Sequence, residues 1–303
     1  MTMTAETTHE ARSRAAGRRI AVGVDLTPGG LAALSWATEE AIASGARMTI
    51  CHARAPGDPH AAAPDLDTLI LTHPDLVRRV RWCRQILGGN NVTLELPLDD
   101  VTTALLELSE RVDQLVLGAH DAVRHRPRTQ VAQVTAGAMC PVVIVRPVPA
   151  HGNAPFAGHI VIGVDGSPGS AAAIPFGFGL AWRHHRPVAA VHVDNEWPGD
   201  YWFDEQCLET HFAAEPAALE LLAREIEPVA AGYPHVAVKR AVFGGDPATG
   251  LRHAATGAAL LVLGRNGHHL PALLRLGSVN HAFTERADCA VAIVPEHAAA
   301  GRA

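Results

Sequence analysis

The residues best suited to chemistry form a glycine series near the end of the chain. It reads Gly264-Arg265-Asn266-Gly267, then nine residues, then Gly277-Ser278. Glycine lets the backbone approach a ligand with no side chain between them. A helix start offers unpaired N–H groups and a partial positive charge. A Gly-x2-Gly-x9-Gly-Ser spacing that leaves a strand and ends on a helix start therefore suits phosphate. The Ser278 hydroxyl adds a donor, and Arg265 or Arg275 either adds charge or sits in solvent. No lysine is needed, and Lys239 is the one lysine among the 25 basic residues. A Gly-Lys-Ser/Thr phosphate loop does not occur in the sequence.

The elements that must position this series come from an internal repeat. Ile20-Ala-Val-Gly-Val-Asp25 returns as Ile160-Val-Ile-Gly-Val-Asp165, and Leu115-Val-Leu-Gly118 returns as Leu261-Val-Leu-Gly264. Cys140-Pro-Val-Val-Ile-Val145 returns as Cys289-Ala-Val-Ala-Ile-Val294. The offsets, 140, 146 and 149, drift as loop insertions make them drift. The expected organisation is a loose tail over 1–17, one domain over 18–147, a Pro/Gly-rich linker over 148–158 and a second copy over 159–296.

In the second copy, apolar runs predict strands at His159–Asp165, Pro187–Val193, His235–Val242, Ala259–Gly264 and Ala290–Val294. Helices are expected over Ser170–His184, about Phe212–Ala231, Pro247–Thr256 and Ser278–Arg286. The first copy repeats this order from Arg19–Asp25 to Val142–Val145. Continuous apolar strands between helices imply an α/β fold: two tandem, doubly wound, five-stranded parallel sheets of Rossmann-like type. Ligands of such sheets sit beyond the carboxyl ends of the strands.

The glycine spacing resembles the ATP-binding signature of the universal stress protein family, in its tandem bacterial form. Strand one ending in Gly163-Val164-Asp165, strand two in Val191-His-Val193 and the closing Cys289–Val294 run are similar to that family too. The resemblance covers nearly the whole chain and implies an adenine-nucleotide α-hydrolase-like domain. It implies that Asp165 meets the nucleoside end of ATP and that backbone near Val193 borders the adenine. Gly264, Gly267, Gly277, Ser278 and Val279 would surround the phosphates, with or without Mg2+, and Gly163, Val164, Leu263, Arg265 and Asn280 are expected to complete the nucleotide site. The implied role is stress response or dormancy signalling through nucleotide-dependent conformation or partner choice, in the cytoplasm. Catalysis is not expected beyond slow ATP hydrolysis or autophosphorylation. A scaffold that binds no nucleotide is the alternative. Pairing of the domains through their last strands is implied, with a homodimer and an unidentified protein partner left open.

The first copy departs from the signature. Gly118 is kept, but Asp121, Val131 and Ala132 stand where Gly267, Gly277 and Ser278 stand in the second. A carboxylate and a β-branched side chain both oppose phosphate, so one ATP per chain is expected. Asp25 and Asp165 lack an evident acid/base partner, which leaves ribose contact or turn capping. Ser167, Ser170 and Asp246 read as helix starters, Asp246 ahead of Pro247.

Composition narrows the remaining classes. Net charge is −6 with pI near 6.3, which gives no basic field for nucleic acid or anionic membrane. Cys51, Cys83, Cys140, Cys207 and Cys289 form no C-x-x-C pair, which points to a reducing compartment rather than zinc or disulfides. The first residues lack the apolar core of a signal peptide, and no run reaches the length of a membrane helix. Among 18 histidines, His184-His185 and His268-His269 are adjacent pairs that diverge and make no metal clamp. His268 and His269 lie inside the phosphate loop, and their titration would make affinity pH-dependent. Trp197, Tyr201, Trp202, Phe203 and Phe212 concentrate after strand two, as packing against a helix or domain, or as a lid or partner surface.

Overall fold

Short β-branched runs cut off by glycine make the strands, and proline-started, side-chain-capped segments make the helices between them. The computed structural model describes residues 17–54, 73–119, 130–147, 154–195, 202–204, 216–265 and 276–299. The chain divides into two compact units, up to Asp121 and from Ala122 onward. The division lies upstream of the 148–158 linker. The last helix and strand of the first sequence repeat therefore belong to the second unit.

In the first unit the elements are β1 (Arg19–Gly23), α1 (Pro28–Ser44), β2 (Arg47–Cys51), α2 (Pro74–Leu87), β3 (Val92–Glu95), α3 (Val101–Ser109) and β4 (Gln114–Gly118). Its strands lie side by side in the order β3-β2-β1-β4, all parallel. Thr27 caps α1 by accepting from the Gly30 N–H, and Asp100 caps α3 through the Thr102 and Thr103 N–H groups.

The second unit contains α4 (Gln130–Gly137), β5 (Val142–Val145), β6 (Ile160–Gly163), α5 (Pro168–Arg183), β7 (Val188–Asp194), β8 (Trp202–Asp204), α6 (Pro216–Ala230), β9 (Val238–Gly244), α7 (Pro247–Ala255), β10 (Leu260–Arg265), α8 (Ser278–Glu285) and β11 (Val291–Pro295). Strand order is β5-β11-β10-β6-β7-β9-β8. The run from β9 to β11 is parallel and reverses direction of winding between β6 and β10, the doubly wound arrangement. Val161, Val191, Leu261, Leu263, Phe283, Val291 and Ile293 form its core on one face. Each such side chain contributes roughly 1.5–3 kcal/mol by leaving water.

Two strand pairings are antiparallel. The first joins the last strands of the two sequence repeats, β5 and β11, in the register Ile144↔Val291, Val143↔Ala292 and Val142↔Ile293. The second was not foreseen: Trp202–Asp204, inside the aromatic segment, forms β8 on the edge of β9. The segment is expected to pack against a helix or domain or to form a lid or partner surface, and its described part adds an antiparallel edge strand beside the five parallel ones. Trp197, Tyr201, Cys207 and Phe212 lie outside the described residues. No described helix is long and apolar enough to cross a membrane.

Backbone contact decides some glycines. A Cβ on Gly264 would collide with the backbone of Gly169 and Ser170 at the start of α5, and one on Gly118 would collide with Gly29 and Gly30. Gly166 has φ +76°, and Leu26, its counterpart in the first repeat, has φ 62°. We expect Gly264→Ala and Gly118→Ala to cost about 2 kcal/mol or more, and Gly166→Ala about 1 kcal/mol. Urea midpoints followed by circular dichroism will rank the three.

Candidate functional site

The carboxyl ends of β6, β7 and β10 converge where the winding of the second unit reverses. A cavity of about 370 Å³ opens there, within the range of small-molecule sites. Its walls follow the strands: Gly163, Val164 and Asp165 after β6, Val191, His192, Val193 and Asn195 along β7, and Leu263 and Gly264 on β10. Ser167 and Ser170 enter from the start of α5, Pro247 and Leu251 from α7, and Val279 and Asn280 from the first turn of α8.

Local bonds hold these groups. The Ser167 N–H donates to Asp165 Oδ1 at 2.9 Å, and the Ser167 hydroxyl accepts from the Ser170 N–H at 3.2 Å. Asp165 is therefore a turn cap as well as an exposed carboxylate at the cavity wall. The Nδ1 of His192 lies 2.7 Å from the Val164 carbonyl oxygen, so Nδ1 carries the proton. This bond ties the turn after β6 to β7. Asn280, only 3% exposed, donates from Nδ2 to the Gly264 carbonyl at 2.9 Å. That bond fixes the end of β10 against α8.

The start of α8 is open to a ligand. Gly277 is its N-cap, with φ −58° and ψ 160°, and no side chain caps it. The N–H groups of the first turn, next to Val279 and Asn280, are left for another acceptor. Ser278 is the exposed first residue of the helix. Neither Gly277 nor Ser278 is among the residues forming the cavity wall.

Most of the residues expected from sequence meet here: Gly163, Val164, Asp165, Val193, Leu263, Gly264, Val279 and Asn280 all line the cavity. Arg265 does not. It was expected to add charge beside the phosphates or sit in solvent, and its guanidinium instead bonds the carbonyls that end α4, with 9% of the residue exposed. Gly267, Arg275, His268 and His269 lie outside the described residues. Sequence reading passed over Val191, His192, Asn195 and Leu251 as ligand neighbours. Their common signal is position, at strand ends and in the first turns of helices around the switch point.

The first repeat shows the same frame of turn and strand bonds. Asp25 Oδ1 accepts from the Thr27 N–H at 3.1 Å and its hydroxyl at 2.6 Å, and His52 Nδ1 lies 2.6 Å from the Val24 carbonyl. Val131 and Ala132, in the places of Gly277 and Ser278, lie within the first turn of α4 rather than at its cap. Asp121 is outside the described residues. Among the described residues, no three His, Cys, Asp or Glu side chains gather as a metal site.

The family model described as the universal stress protein family matches residues 17–146 and again 157–295. The chain belongs to the universal stress protein family. A universal stress protein of Mycobacterium tuberculosis strain H37Rv is 27% identical over 295 residues, covering 91% of this chain and 96% of its own. Another from Mycolicibacterium smegmatis is 28% identical over 301 residues, with the same coverage. Among solved structures, a universal stress protein from Archaeoglobus fulgidus shares the fold with a TM-score of 0.57 at 14% identity, covering 91% of this chain and 96% of its own. A universal stress protein of Pseudomonas aeruginosa gives 0.55 at 14% identity, covering 95% and 97%.

In this universal stress protein the described cysteines, Cys51, Cys83, Cys140 and Cys289, are buried in the packing. Cys51 takes the strand position that Val191 holds in the second repeat. Burial, then the neighbouring Glu95 carboxylate, pushes its thiol up to about 12. Burial likewise pushes Cys289 up to about 12 and raises Cys83. The reactive thiolate of each therefore forms only far above neutral pH. In a Cys207→Ser chain, we expect thiol-reactive dye at pH 8 to label nothing until denaturant is added. Labelling of the folded chain at Cys51 or Cys289 would contradict this.

Proposed function

We propose that the second repeat binds ATP in the cavity at the ends of β6, β7 and β10, with the phosphates at the start of α8. The observation that carries this reading is the convergence of an uncapped helix start and three strand ends on one cavity at the winding reversal. Asp165 would meet the ribose, Val193 would border the base, and the first-turn N–H groups of α8 would receive phosphate. Any Mg2+ would enter with the phosphates, since the described side chains offer no cluster for it. The first repeat would hold no nucleotide, because Val131 replaces the glycine at the cap.

The nucleotide would act as a signal for stress response, through conformation or partner choice rather than turnover, in the cytoplasm. Among the described residues Asp165 and His192 are the titratable side chains of the cavity wall, and each is already hydrogen-bonded, Asp165 within its own turn and His192 across to the Val164 carbonyl. That arrangement suits holding a ligand more than activating water. Calorimetric titration with ATP is expected to give one site per chain. Gly277→Val, which puts a branched side chain on the helix cap, is expected to weaken binding roughly 10- to 100-fold. Two sites per chain, or equal affinity in the variant, would refute the assignment. No binding at millimolar ATP, with no nucleotide released from the denatured protein by mass spectrometry, would favour the scaffold reading.

A further inference from the structure

Arg265 is the last residue of β10, next to Gly264 of the cavity wall, but does not line the cavity itself. Its Nη1 donates to the carbonyls of Ala138 at 2.7 Å, Ala136 at 3.1 Å and Thr135 at 3.2 Å. These acceptors end α4, where a helix carries partial negative charge and unpaired carbonyls. Residue 264, next to it, is held from the other side by Asn280 in the first turn of α8.

A second arginine closes the circuit. Arg146, just after β5, donates from Nη2 to the carbonyl of Thr284 in the last turn of α8. Helices α4 and α8 pack together, and β5 pairs with β11. Each helix thus receives at its C-terminal end an arginine that follows a strand of the other sequence repeat. The path runs from Gly264 through Arg265 to α4, through β5 and Arg146 to α8, and back through Asn280 to Gly264.

We propose that this circuit couples the cavity wall at Gly264 and Asn280 to α4, with Arg265 as the positioning residue. Ligand occupancy of the cavity and docking of α4 then stabilise each other. The ligand half of the proposal rests on the nucleotide reading above; the coupling itself belongs to the free chain. The physical reason is that the end of β10 cannot shift at Gly264 without moving Arg265. Moving Arg265 would strip buried carbonyls of their charged donor. Linkage makes the effect reciprocal: whatever holds Gly264 in place holds α4 in place by the same factor.

Amide hydrogen exchange of α4, read in the full chain, tests this with and without ATP. Asn280→Ala removes the bond to Gly264 and none to α4, so it is the decisive variant in the free protein. We expect it to raise exchange over 130–138 at least about 5-fold, and Arg265→Met to raise it further. In the wild-type chain ATP is expected to slow α4 exchange. In Arg265→Met that protection should vanish and affinity fall at least about 5-fold, with partial recovery in Arg265→Lys. If Arg265→Met does not fold by circular dichroism, Asn280→Ala and Arg265→Lys carry the test. Wild-type α4 exchange in Asn280→Ala would overturn the coupling. ATP bound without any protection of α4 would overturn the link to ligand. A chain that binds no ATP but shows raised exchange in Asn280→Ala would sustain the coupling and sink the nucleotide reading.

Discussion

The structure depends on how closely a helix start can approach a strand end. At the winding reversal, the backbone of Gly264 lies against that of Gly169, and a single methyl group on Gly264 would overlap it. That contact sets α5 down on the sheet and brings Ser167 and Ser170 to the wall of the cavity. The same approach, between Gly118 and Gly29, occurs in the first unit. The first glycine of the Gly-x2-Gly-x9-Gly-Ser series is thus required by the fold itself. This explains why the first repeat keeps Gly118 while Asp121 and Val131 replace the later glycines. The glycine that packing demands is present in both repeats.

His192 belongs to the same category as Gly264. It lines the cavity, yet His52 makes the equivalent bond to Val24 in the repeat that departs from the glycine series. A side chain found in both copies with the same bond is serving the architecture: it links the turn after the first strand to the second strand. Residues that differ between copies carry the ligand argument better. The pair Gly277 and Val131 differs most in consequence, since one leaves a helix cap open and the other lies within a helical turn.

Much of this was legible in the sequence because it rests on local patterns. Proline after Ser167 or Asp246 and Gly277-Ser278 mark helix starts, and apolar runs ending in glycine mark parallel strands. Those signals located α5, α7, α8 and the strands around the site within a few residues. Arg265 was misplaced because a charged residue beside a glycine loop has no local signal for where its side chain goes. Its acceptors, Thr135 to Ala138, lie some 130 residues earlier. The β8 strand was missed for a related reason. Three residues are too few to show alternation, and their pairing with Ala241–Phe243 is a property of the neighbouring edge.

The pairing of β5 with β11 also sets a timetable for synthesis. Ile144 meets Val291, so one edge of β5 stays uncovered while almost half the chain is still to be made. At roughly 5–20 residues per second, the delay is on the order of 10 seconds. During that interval Val142–Val145, four consecutive buried β-branched residues in the finished protein, present a bare apolar edge of the kind that invites pairing with other chains. The neighbouring Arg146 and the prolines at 147 and 149 sit just beyond it, as charge and chain breaks that limit how far such an edge can extend. The nascent first repeat therefore carries an unpaired strand edge until the second arrives.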